Sequence, residues 1–315
     1  MSRGLEQPAL EAVARGRQQR QQECGGSVED SLSFDGYTAR VIARDQGPII
    51  GVASDGARVF WAVGELGKES SIRVLEPGAS SGREVARAPT SRALAVHAGT
   101  LFWLSFGTQT PATVMSMPVT GAAPRPFAEA AVYAIDTDAL ILATNHLLMR
   151  APLDGTTPTR FAELPEDSDV IALAVSDDAI WALSDIGESQ SAVFRISRAS
   201  GEVERRADVR LGATLTIAGE DIAYTTLTET WVVPRAGGSP KMIGRIPLDP
   251  TSFVTAGTRA YGVSDCGGVL SVVDHGHIEP IVRGLGVSFS VAIMGEEILV
   301  ADSSSGLILA FRRSP

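Results

Sequence analysis

The sequence predicts an all-β protein folded as a seven-bladed β-propeller, and three observations carry that prediction. Short segments ending in aromatic or apolar residues recur seven times. Each is followed by the same succession of loop, strand, turn and strand. The last copy stops one strand short, while an unmatched strand precedes the first copy. The recurring segments are "VASDGARVFW", "LAVHAGTLFW", "YAIDTDALIL", "LAVSDDAIW", "LTIAGEDIAY", "FVTAGTRAYG" and "VAIMGEEILV". They end at Trp61, Trp103, Leu142, Trp181, Tyr224, Gly262 and Val300, with gaps of 42, 39, 39, 43, 38 and 38 residues. A period of about 40 residues is that of a propeller blade.

Taken in order, residues 1–30 come first. They are rich in glutamine and carry Arg15, Arg17 and Arg20 without a long apolar run, so they read as a solvated, flexible tail. Residues 31–315 read as one propeller domain. "YTARVIARDQG", about 37–47, resembles the fourth strands of later copies, such as "GREVARAP". Within each copy the column residue ends the second strand. In the third copy, "HLLMRAPLDGTTPTRFAEL", Leu148, Arg150 and Pro152 alternate with Met149, Ala151 and Leu153, the period of a strand. Asp154-Gly155 then marks a hairpin, and "TRFAEL" is the returning strand. Each blade is therefore four antiparallel strands. After "LILAFRRSP" the seventh copy has only three. The strand at about 37–47 supplies the fourth and closes the ring, which removes the exposed edges. Trp61, Trp103 and Trp181 share one column, so their recurrence indicates packing between blades. Trp231 lies outside it.

Composition limits the function. A formal net charge of −10 argues against a nucleic-acid partner. The chain has no apolar run of membrane-spanning length, so no membrane partner is expected. Two cysteines, Cys24 and Cys266, are too few for a disulfide framework. "MSRGLEQPALEAVARGRQQRQQE" contains no apolar signal core. The chain reads as cytoplasmic as written, or extracytoplasmic if the true start carries an export signal. A monomer is expected.

"RVFW" and "MRAPLDGTTP" resemble the repeats of YWTD and NHL-type β-propellers. The resemblance spans about residues 37–315 and implies the fold. It implies no single function, since such propellers include receptors, scaffolds, lactonases and lyases. It departs from YWTD repeats in that Ala62-Val63 and Leu104-Ser105 follow the tryptophans, and seven copies replace six blades.

Candidate sites follow from the repeat register. "VVDHGHIEP" holds His275 and His277 beside Asp274, a metal-like spacing, but it aligns with "PLDGTTP" and "PRAGGSP". It is therefore the third-to-fourth-strand hairpin of blade six, with Gly276 giving the positive φ of the turn. His97 falls in a first-to-second-strand turn on the same, bottom face. Loops between second and third strands lie on the top face, where propellers commonly bind. Reading just past the column there gives Glu65, Gly107, Asn145, His146, Asp185, Thr228, Asp265, Cys266 and Asp302. Glu65, Asn145, His146, Asp185, Asp265 and Asp302 are the expected ligand-binding residues. Cys266 has no histidine base in a neighbouring blade and reads as an unreactive loop or core thiol. The sequence thus predicts a non-catalytic module that binds a protein or small ligand through its top face. The alternative is a lactonase- or lyase-like enzyme, with Ca²⁺ as the cofactor that a ring of carboxylates could hold.

Overall fold

The computed structural model describes residues 5–24, 32–34, 36–44, 46–65, 68–106, 112–226, 228–245, 250–264 and 268–314. Seven four-stranded antiparallel sheets form the ring. Blades one to six occupy residues 49–89, 91–129, 132–163, 169–210, 214–244 and 250–283 in chain order. Blade seven takes its three inner strands from 288–313 and its outer strand from Tyr37–Ala43. That closing strand pairs from Tyr37 opposite Arg313 to Ala43 opposite Ile308. The seven copies, the four-strand blades and the closure all follow the sequence register.

Burial explains the pattern of each strand. Second strands are covered on both sides by neighbouring blades, so Ala179–Asp185 opens with an unbroken apolar run of five residues and stays buried through Ser184. Outer strands face water on one side, so Val203–Arg210 alternates polar and buried positions. Trp61, Trp103 and Trp181 are fully buried in their column. Gly262 breaks that column for a steric reason. A Cβ there would lie 2.6 Å from the Phe253 ring, which fills the space from the paired inner strand.

Of the segment expected to be a flexible tail, residues 5–24 are described. Gln7–Cys24 is an α-helix. Leu5, Ala9, Ala12 and Val13 are buried in one cluster with Leu285, between blades six and seven, and with Leu307, Leu309 and Phe311 of blade seven. Their spacing of three and four residues makes one helical face. A Cβ at Gly16 would lie 2.8 Å from Ser304 Oγ and 2.9 Å from the Ser305 nitrogen, so glycine permits this close seat. Beyond the helix, Ser33 exchanges backbone hydrogen bonds of 3.0 and 2.9 Å with Arg283. The apolar face was obscured because small residues, Ala9, Ala12 and Gly16, make up much of it.

Candidate functional site: the top mouth of the ring

Each inner strand runs from the top of the ring to the bottom. The bottom therefore carries the first-to-second and third-to-fourth hairpins, and the top carries the remaining loops. On the bottom, acids and arginines neutralise one another, often across blades. Asp136 of blade three, 3% exposed, receives the Arg198 guanidinium of blade four, and Arg150 lies 3.4 Å from its second oxygen. Asp178 of blade four is held by Arg195 at 2.9 Å and by Arg235 of blade five. Those hydrogen bonds, Arg195 foremost, hold the Asp178 carboxyl well below the usual range. Asp55 pairs with Arg58 at 2.7 Å, and the Arg58 guanidinium also donates to the Val119 carbonyl of blade two. These contacts tie neighbouring blades together and neutralise Asp55, Asp136 and Asp178 on the bottom.

The bottom hairpin of blade six is as the register predicted. His275 at φ 48° and Gly276 at φ 70° form the two-residue tip, with Asp274 opposite His277. His275 is exposed and contacts Asp274 at 2.6 Å. His97, half-buried, bonds the Thr137 carbonyl of blade three at 3.0 Å. Trp231 is half-buried and stacks on Tyr224.

The top loops disperse the predicted site residues. Glu65 is exposed and pairs with Lys68. Asn145, at φ 51°, turns a tight hairpin, and its carbonyl accepts the Val170 amide at 3.0 Å. His146 sits 3.5 Å from Glu163. Asp185 accepts the Ser191 hydroxyl at 2.6 Å, and Ser191 Oγ accepts the Gly212 amide at 3.0 Å. Asp185 also lies opposite Asp169 across the strand pair, two like charges in register. Asp265 and Cys266 lie outside the described residues. Among the described residues, no three His, Cys, Asp or Glu side chains come together as a metal-binding group.

Asp302 occupies a different environment from the channel mouth expected of it. It is fully buried and accepts the Gly286 amide at 2.9 Å and the Ser305 amide at 3.2 Å. Burial pushes its carboxyl pKa up, against those hydrogen bonds. Ser304 Oγ, 3.2 Å from Asp302, lies 3.1 Å from the Gly16 carbonyl. Asp302 thus organises the loop on which the N-terminal helix sits.

Inward of these loops lies a channel of about 1270 Å³ running between the seven inner strands. Its top mouth combines Ile50, Arg92, Leu104, Phe106, Ala131 and Ala213. Phe106 is 38% exposed, and Leu211, beside Ala213, is 41% exposed. Arg92 is exposed and has no carboxylate partner among the described residues. It precedes a bulge in the strand Ser91–His97, where register shifts between Arg92 and Ala95. Ala93 there adopts φ 52°, a conformation a non-glycine residue rarely takes. The Tyr133 hydroxyl of blade three donates to the Ala93 carbonyl and so pins the bulge. Bulges of this kind re-aim side chains. A search for polar loop residues passes over Phe106 and Leu211, and Arg92 lies inside a strand. The signal available was an apolar residue, Phe106, directly following a second strand.

No protein-family model matches the chain, and no curated protein matches it. Its fold does match solved structures at low identity. The N-terminal domain of Nup159 is 12% identical, with 91% of this chain and 97% of that one covered and a TM-score of 0.57. BamB from Moraxella catarrhalis is 13% identical, with coverage of 85% and 84% and a TM-score of 0.56. The computationally designed Ika8 protein is 10% identical, with coverage of 86% and 98% and a TM-score of 0.59. BamB and the Nup159 domain are β-propellers, and at these identities the likeness is one of fold.

Proposed function

We propose that the chain is a non-catalytic binding module that engages a protein partner at the top mouth of its ring. The observation that carries this reading is the pair of exposed apolar side chains on the top face. Bottom acids Asp136 and Asp178 are bound across blades by Arg198 and Arg235, whereas the top exposes Phe106 and Leu211, with Glu65 and Asp185 among its polar loop residues. Exposed aromatic and aliphatic anchors with a polar rim are what protein interfaces use. The fold analogy adds support, since a solved complex holds Saccharomyces cerevisiae Dbp5 bound to Nup159. Asn145 and His146 extend the rim on blade three. The kinship with YWTD and NHL repeats belongs to the same proposal. A lactonase- or lyase-like site needs at least three converging polar groups, and the described residues favour the binding reading. Among the described residues no helix is long and apolar enough to cross a membrane.

The test is a pair of photo-cross-linking residues, one at Phe106 on top and one at Ser200 on the bottom hairpin of blade four. A partner cross-linked from position 106, lost on Leu211→Asp and absent from position 200, supports the proposal. Equal cross-linking from both faces refutes it.

A further inference from the structure

The channel below the mouth has a mixed lining, in which aliphatic side chains stand among hydroxyls such as Thr214, Thr216, Ser252, Thr255 and Ser290. Leu94, Val132, Ile171, Leu173, Ile217 and Val254, from blades two to six, line it, and each keeps part of its surface open. Leaving such surface wet is unfavourable, so an apolar occupant gains by covering it. The charges are also arranged by height. Arg92 stands at the top mouth, while Asp177 and Glu220 line the bottom end. Arg235, the other cation of the lining, is engaged by Asp178. The channel therefore offers at one end a cation with no carboxylate partner among the described residues, aliphatic side chains along its length and negative charge at the other end.

We infer that the channel binds an elongated aliphatic carboxylate, tail inward, with its head group on Arg92. Charge complementarity selects the anion, because a cationic head at the mouth would meet Arg92. It also selects the direction, because an anionic head at the bottom would meet Asp177 and Glu220. Inner strands of five to seven residues, such as Thr214–Ala218 and Asp169–Val175, span about 17–23 Å at roughly 3.3 Å per residue. That length suits a saturated chain of about twelve to sixteen carbons. The volume exceeds the range of about 300–1,000 Å³ typical of small-molecule sites. Water beside the alkyl chain can therefore still solvate the inner strand edges. Tyr133 is a positioning residue here, since its bond to the Ala93 carbonyl fixes the bulge beside Arg92. This inference goes beyond the docking proposal and shares only its mouth.

The experiment is calorimetric titration of the full chain with dodecanoate and, as the charge-reversed probe of equal tail, dodecyltrimethylammonium, both below micelle formation. One dodecanoate per chain and at least tenfold weaker binding of the cation are expected. Arg92→Gln should weaken dodecanoate at least tenfold, as loss of a charged hydrogen bond does. Arg92→Glu should reverse the preference between the two probes. Equal affinity for both probes, an unchanged Arg92→Gln or no dodecanoate binding would each overturn the channel site. None of these outcomes bears on the cross-link from Phe106. Loss of that cross-link with dodecanoate binding intact would overturn the docking proposal alone.

Discussion

Replacing Asp136 with alanine tests whether paired charges hold the blades together. The Asp136 side chain is 1% exposed and meets Arg150 and Arg198, which are 28% and 23% exposed. It also accepts the Thr137 amide at 2.7 Å. Removing it takes one carboxylate from each of two half-buried guanidinium groups, of which Arg150 keeps Asp138 and Arg198 keeps the Ser176 and Asp177 carbonyls, and leaves the Thr137 amide without that acceptor. Breaking a buried pair by deleting one partner costs about 3–5 kcal/mol. Both arginines keep some water contact, so about 2–4 kcal/mol is the expected loss. At about 2–4 °C per kcal/mol for a large domain, the melting temperature should fall by about 5–15 °C. Asp138→Ala is the internal control. It removes a 2.7 Å pair with the same Arg150, but the Asp138 side chain is 73% exposed, so the melting temperature should barely move. Differential scanning calorimetry at pH 7 reads both. Equal shifts in the two variants would refute the argument from burial.

Other perturbations are read as simply. Gly16→Val forces a Cβ against Ser304 and Ser305, where overpacking costs about 1–3 kcal/mol. Limited proteolysis should then cut within 7–24 before it cuts the ring, and a helix as protected as in the parent would contradict the seat described for it. The Asp302 carboxyl has its pKa raised by burial in the folded chain. Its stability contribution is therefore complete below the unfolded value of about 3.9 and lost as pH rises through the folded one. Asp302→Asn lacks that loss, so its melting deficit against the parent should shrink from pH 4 to pH 7. A deficit independent of pH would show that Asp302 is not desolvated. The double replacement of His275 and His277 by Asn, at an exposed bottom hairpin, should leave the melting temperature and dodecanoate affinity unchanged.

The ring was legible because its information is periodic and local. Each second strand is buried on both sides, so the column from Trp61 to Val300 stays apolar, and Gly262 departs from it only because Phe253 supplies the missing bulk. The closing strand was legible because edges must be covered. The N-terminal helix was missed because Ala9, Ala12 and Gly16 make much of its contact face beside Val13, and small residues carry little hydrophobic signal. The mouth was less legible still. Ala93 reaches positive φ without glycine or asparagine to announce it, so the bulge that sets Arg92 has no sequence mark. Asp136 and Arg198 are 62 residues apart and meet only once adjacent blades are placed. Asp302 looked like a loop carboxylate among others, and only its burial separates it from Asp185.

The central claim about the channel is that an aliphatic carboxylate enters it at the top mouth. Fluorine NMR tests it most directly, with one trifluoromethyl reporter replacing Phe106 and a second at Ser200. On titration with dodecanoate, the Phe106 reporter should shift saturably at one equivalent while the Ser200 reporter stays fixed. A shift at Ser200 alone, or equal shifts at both, would contradict the account.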